Sequence, residues 1–224
     1  MDQTKNNQED KIILICATGR SGSTTIQRII NTMPNTNICG ENYGAIISLL
    51  DFYRKLKLTT FDQVPGNITP FKYDYLIKKN FKPSWYNSYH ITNMKEMIRD
   101  TIIKMFKKDE TIKIWGFKEI RYDNGRINYI KENLELFPNT KVIIQIRENI
   151  VEQSKSGWFK NDKPEASLQY LKKYNKELID FYNSNKQHCF FITFERMFKL
   201  TNIQQLFGFI ECEKYYDAQS IQEG

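Results

Sequence analysis

A chain of 224 residues that is 40% hydrophobic and 26% charged has the length and balance of one globular domain with a substantial core, which excludes a disordered or fibrous protein. Lys and Arg number 33 against 26 Asp and Glu, a net charge of +7 with a pI near 9.1, so the partner to expect is anionic: phosphate, sulfate, nucleic acid or an acidic surface. Four dispersed cysteines (Cys16, Cys39, Cys189, Cys212) form no CxxC pair, which argues against a zinc site or a disulfide framework and for reduced, mostly buried thiols.

Residues 1–10 are polar and read as a tail, and residues 11–224 as one domain. With no apolar leader and no run long enough to span a bilayer, a soluble, cytoplasmic protein is expected. KIILICA (Lys11–Ala17) is almost continuously apolar, as a strand buried on both faces of a parallel sheet must be. From Thr25 to Met33, Ile26, Ile29, Ile30 and Met33 share one helical face. NTNICGE predicts a short second strand ending at Cys39, with Gly40 turning the chain and Glu41 beyond it; AIISLLDFYRKL predicts a helix.

Residues 59–90 read as a long irregular insertion broken by Pro65, Pro70 and Pro83 and rich in aromatics from Phe71 to Tyr89. These rings form either walls of a pocket or a satellite core. Asn93 with Glu96 three residues later resembles a capping box opening a helix to about Lys107, with Met94, Met97, Ile98, Ile102 and Met105 inward. TIKIWGFKEI is the third strand, RINYIKENLELF a helix ended by Pro138, and KVIIQIR the fourth strand. Helices are expected over Ile150–Phe159 and Glu165–Tyr182, a fifth strand over Cys189–Phe194, and a last helix from about Ile203. Strands alternating with helices in this way predict an α/β fold with a mainly parallel sheet of about five strands flanked by helices, whose ligands sit beyond the carboxyl ends of the strands.

The turn Thr18-Gly19-Arg20-Ser21-Gly22-Ser23-Thr24-Thr25 joins the first strand to the first helix. Glycines let backbone pass close to a ligand, while amides, hydroxyls and the positive end of the helix dipole hold phosphate oxygens. This is an anion cradle but not a Walker A sequence, because Ser23 follows Gly22 where that motif requires lysine. Arg20 is the cation within it.

GRSGSTT resembles the 5′-phosphosulfate-binding loop of the sulfotransferases, in which Arg or Lys precedes Ser-Gly and two hydroxyl residues at the head of the first helix of a P-loop-like domain. Three further segments match in order. KVIIQIRENIVEQSKSGWF is similar to the family's strand and helix carrying an arginine and a serine that hold the 3′-phosphate of 3′-phosphoadenosine 5′-phosphosulfate (PAPS), here Arg147 with Ser154 or Ser156, of which Ser156 is favoured. NICGENYG resembles the CGE segment of tyrosylprotein sulfotransferases, whose glutamate, here Glu41, serves as general base. In GFKEIRY, Lys118 resembles the lysine aimed at the transferring sulfonate, and FITFERMF is a fainter echo of a late family segment.

The resemblance implies a PAPS-dependent sulfotransferase. Arg20, Ser21, Gly22, Ser23, Thr24, Thr25, Arg147 and Ser156 or Ser154 would bind the donor, and Glu41, Lys118 and Arg20 would do the chemistry. It implies a carbohydrate, peptide or small-molecule hydroxyl acceptor and no metal, nucleic acid or membrane partner. Alternatives stay open residue by residue. Glu41 is a base or a helix cap; Lys118 is catalytic or pairs with Glu119 or Glu148; His90 is the other candidate base, whereas His188 before a strand is structural. The chain ends about 16 residues after Gly208, so a short closing segment over the adenosine is expected. Two rival functions share the architecture: a nucleotide or nucleoside kinase with a degenerate P-loop, and a non-catalytic phosphoadenosine-binding module.

Overall fold

A computed structural model describes residues 10–59 and 89–216. The insertion proposed at 59–90 and the tail at 1–10 therefore lie almost wholly outside the described residues. The chain divides into two compact units, residues 1–44 with 106–224, and residues 45–105.

The first unit is built on a five-stranded, all-parallel sheet in the order β2-β3-β1-β4-β5, from β1 (Lys11–Ala17), β2 (Thr36–Cys39), β3 (Ile114–Glu119), β4 (Lys141–Ile146) and β5 (Cys189–Thr193). β1 sits at its centre, Leu14 opposite Phe117 on one side and Val142 on the other, which is why its sequence is apolar at every position from Ile12. Helices flank the sheet: α1 (Ser23–Ile30), α4 (Asn128–Leu136), α5 (Ile150–Ser154), α6 (Pro164–Ser184) and α7 (Leu200–Phe209). Ile26 and Ile30 of α1 and Ile203, Leu206 and Phe207 of α7 close one buried cluster with Ile13, Ile15, Ile38 and Ile143 of the strands. Each such side chain contributes about 1.5–3 kcal/mol by leaving water.

Two local devices hold this frame. Asn31, the residue after α1, donates through Nδ2 to the Ile38 carbonyl at 2.9 Å and accepts the Ile38 amide at 2.8 Å, locking the end of α1 to β2. Gly116 in β3 stands where a Cβ would lie 1.8 Å from the Ile13 carbonyl oxygen, so only glycine lets β3 approach β1 there.

In the second unit, α2 (Ala45–Thr59) buries Ile46, Ile47, Leu50 and Tyr53. The following helix, α3 (Ile91–Phe106), starts two residues before the expected cap. The Met94 amide bonds the His90 carbonyl at 3.3 Å, so the first helical turn is already closed when the chain reaches Asn93, which lies inside it and not at its cap. Ile98 and Ile102 are buried as expected, but Met97 and Met105 are about half exposed. The buried line runs Ile98, Ile102, Phe106, four residues apart, and each methionine lies one residue off it.

A third expectation fails in the first unit. Ile150–Phe159 is not one helix: α5 ends at Ser154, Ser156 is extended, and a 3-10 turn runs from Gly157 to Asn161. Gly157 has a φ of 62°, which ends any α-helix. The four cysteines are free, three of them buried. Among the described residues no helix is long and apolar enough to cross a membrane.

Candidate active site

In a parallel sheet every strand ends on the same side, and here that side collects the turn after β1, Glu41 after β2, Lys118 and Glu119 at the end of β3, Arg147 after β4 and Glu195 after β5. The chain leaves β1 toward β2 but passes from β3 across to β4, so the strand order reverses between β1 and β4, the place where ligands of such sheets sit.

The turn after β1 is tightly held. Arg20 and Gly22 have left-handed φ values of 64° and 80°, with Ser21 between them. Gly22 caps α1 without any side-chain bond, and the first turn of α1 has no acidic residue, so no side chain of the helix's own first turn offsets the positive end of its dipole. Ser21 is buried and donates its hydroxyl to the Thr18 carbonyl at 2.7 Å; Ser23 is also buried, Thr25 half-buried and Thr24 exposed. Two buried glutamines reach the turn from behind. Gln153 Nε2 donates to Thr18 Oγ1 at 2.9 Å and to the Gly19 carbonyl at 2.6 Å, and Gln145 Nε2 donates to the Ser21 carbonyl at 2.9 Å.

Arg20 extends over Gly157, where a Cβ would fall 2.7 Å from its Cδ, and its Nε donates to Ser156 Oγ at 3.0 Å. A Cβ on Gly19 would likewise meet the Trp158 ring at 2.4 Å, so the SGW segment lies directly on the turn. The two candidate serines thus differ: Ser154 is buried and donates back to the Val151 carbonyl at 2.8 Å, whereas Ser156 stands beside Arg20.

Arg147 lies two residues past Gln145, the β4 residue paired with Ala17. Its guanidinium rests 4.8 Å from the centre of the Phe194 ring, and its Nε is buried without a hydrogen-bond partner among the described residues. Glu195 Oε1 is 4.0 Å away, near enough to attract but too far to bond. Glu195 instead accepts the amides of Glu148 and Asn149 at 2.9 and 3.0 Å; burial pushes its carboxyl up, but these amides prevail and hold it below the usual range.

A second cluster forms beyond β2 and β3. Lys118 Nζ, with its side chain only 7% exposed, is 2.6 Å from Glu41 Oε1, and Arg121 Nη1 bridges Glu41 Oε2 at 3.0 Å and Glu119 Oε1 at 2.9 Å. Glu119, fully buried, also accepts the amides of Gly44 and Ile120 at 3.1 and 2.8 Å. Tyr43 lies over the Arg121 guanidinium at 4.7 Å. Burial raises the Glu41 carboxyl, but its bonds to Lys118 and Arg121 outweigh this and hold it below its ordinary value. Both Glu41 oxygens are thus engaged by basic side chains. Lys118 pairs with neither Glu119 nor Glu148: consecutive strand residues point to opposite faces, so Lys118 and Glu119 cannot meet, and Glu148 binds Thr193 and Arg196.

Arg121, Gln145, Gln153 and Glu195 were not apparent as site residues from the sequence. Gln145 interrupts an otherwise apolar strand and Arg121 follows Glu119 at the strand period of two, the signals by which they could have been found. His188 lies at the amino end of β5, where its carbonyl accepts the Val142 amide at 2.8 Å, and so sits at the opposite end of the sheet from the turn. His90 is exposed in the second unit. No group of three or more potential metal ligands occurs among the described residues.

The model of the sulfotransferase family matches residues 13–212. No curated protein matches the sequence. Among solved structures, the chain is similar to a sulfotransferase domain from the curacin biosynthetic pathway (17% identity, covering 90% of this chain and 74% of that one, TM-score 0.51). It is also similar to the sulfotransferase domain of the Synechococcus PCC 7002 olefin synthase (15% identity, 97% and 78% covered, TM-score 0.57). At these identities the likeness is one of fold. The match of the family over nearly the whole described chain carries more: this protein belongs to the sulfotransferase family.

Proposed function

We propose that this sulfotransferase uses PAPS as its donor and a hydroxyl group as its acceptor, with the turn 18–25 receiving the 5′-phosphosulfate and Arg147 the 3′-phosphate. The observation that supports this most directly is the pairing, at one end of the sheet, of a first helix with no side-chain cap and an arginine whose buried Nε has no hydrogen-bond partner among the described residues. Each presents positive charge to an anion, and PAPS carries one at each end of its adenosine. Ser156 supports the same donor: its oxygen accepts from Arg20, which leaves the hydroxyl proton free to meet a phosphate oxygen.

The chemistry follows from charge. The acceptor oxygen forms a bond to sulfur as the bond from sulfur to the bridging phosphate oxygen breaks, and the acceptor proton must leave. Glu41 would accept that proton, and Lys118 and Arg20 would stabilise negative charge on the sulfonate and leaving oxygens. Arg121, fixed by buried Glu119, would keep Glu41 in place when Lys118 turns toward the sulfonate. Whether the acceptor is a carbohydrate, a tyrosine or a smaller alcohol would be set by residues 59–90, the proposed acceptor-side insertion.

Calorimetry with adenosine 3′,5′-bisphosphate and with ATP tests the donor. The expected result is tighter binding of the bisphosphate, without magnesium; tighter magnesium-dependent binding of ATP would replace this proposal with a kinase.

A further inference from the structure

Gln145 and Gln153 are fully buried, yet the chemistry proposed above leaves them without a role. Both direct their amide nitrogen to backbone carbonyls of the turn after β1, Gln153 to that of Gly19 and Gln145 to that of Ser21. A trans peptide carries its C=O and N–H on opposite edges. Drawing the Gly19 and Ser21 carbonyls inward therefore turns the amides of Arg20 and Gly22 outward. Left-handed Arg20 and Gly22 flanking Ser21 give the alternation that curls successive amides into a concave anion nest. The Ser21 bonds to the Thr18 carbonyl close the turn, but they fix neither of the two peptides in question.

We propose that Gln145 and Gln153 are positioning residues: from behind the turn they hold two carbonyls inward so that the Arg20 and Gly22 amides face the 5′ anion of the donor. This rests on the proposed use of the turn as a nucleotide cradle. The two glutamines flank Arg147 on the same segment, so β4 and α5 carry the 3′-phosphate contact and also orient the 5′ end.

Gln145→Met and Gln153→Met test this singly in the full chain, since methionine keeps length and volume while removing the donor. Each variant is expected to bind adenosine 3′,5′-bisphosphate about tenfold more weakly, with unchanged affinity for adenosine 3′-monophosphate, which lacks the 5′ group. Equal weakening toward both ligands, or bisphosphate affinity unchanged in a folded variant, overturns the proposal. Hydrogen exchange on the unmodified chain gives a second measurement that depends on no variant: the bisphosphate should protect the Arg20 and Gly22 amides and the 3′-monophosphate should not. Bisphosphate binding without that protection also overturns it. A wild-type chain that binds both ligands equally would instead remove the cradle itself.

Discussion

Replacing Lys118 by methionine is expected to slow sulfonate transfer about a hundred- to a thousandfold, the usual effect of removing one preorganised group that stabilises developing charge. That is about 3–4 kcal/mol of barrier. Lys118 also sits 2.6 Å from Glu41, so a second effect is expected in the same variant. The Glu41 carboxyl is held below its ordinary value against the opposing pull of burial, by Lys118 and Arg121 together. Removing Lys118 leaves Arg121 alone and lets that value rise. A base works as its carboxylate, so activity is present above the Glu41 value and lost as pH falls through it. In the variant the loss therefore begins at higher pH. The depressed carboxyl also stabilises the native state above its unfolded value, a contribution that disappears as pH falls through the folded one. Single-turnover rates across pH read both effects; a rate within threefold of wild type, with the acid limb in place, would exclude Lys118 from the reaction.

Arg147→Ala is expected to weaken binding of adenosine 3′,5′-bisphosphate about 30- to 100-fold, or about 2–3 kcal/mol, the range of a charge-assisted bond in a partly dry site. Affinity for adenosine 5′-monophosphate should not change, because that ligand offers nothing to the 3′ position. The native fold should tolerate the loss: Glu195, 4.0 Å from Arg147, keeps its two amide donors, and Phe194 keeps its place against Gly22 and Phe198. Titrating both nucleotides into both proteins isolates the contact. Equal weakening toward the two would mean that Arg147 supports the site without touching the phosphate.

The central strand β1 and its neighbour β4 were legible because a strand buried on both faces is largely apolar, whereas the short edge strand β2 showed itself by the Gly40 turn that ends it. The turn after β1 was legible from glycine and hydroxyl residues placed between strand and helix. What failed was local and has local causes. Ile150–Phe159 has helical apolar spacing, but Ser156 must be extended to reach Arg20, and Gly157 must give up its side-chain volume to the same arginine. That demand comes from a residue 136 positions away and leaves no periodic trace. Arg121 was hidden for a similar reason: only the pairing of β2 beside β3 brings Glu41 to it. Glu41 itself carries two meanings in the sequence, base or cap, and its two basic partners, from β3 and the turn after it, come into view only once the sheet is assembled.

Gly116 has the last consequence. It touches no proposed ligand, yet any side chain at this position would collide with main-chain oxygen of the neighbouring strand. A saturation screen scored only by survival of activity would rank it beside Lys118 and Arg147. Intolerance to change would then mark two unlike things, assembly of the scaffold and handling of the substrate, and only soluble yield measured alongside turnover would tell them apart.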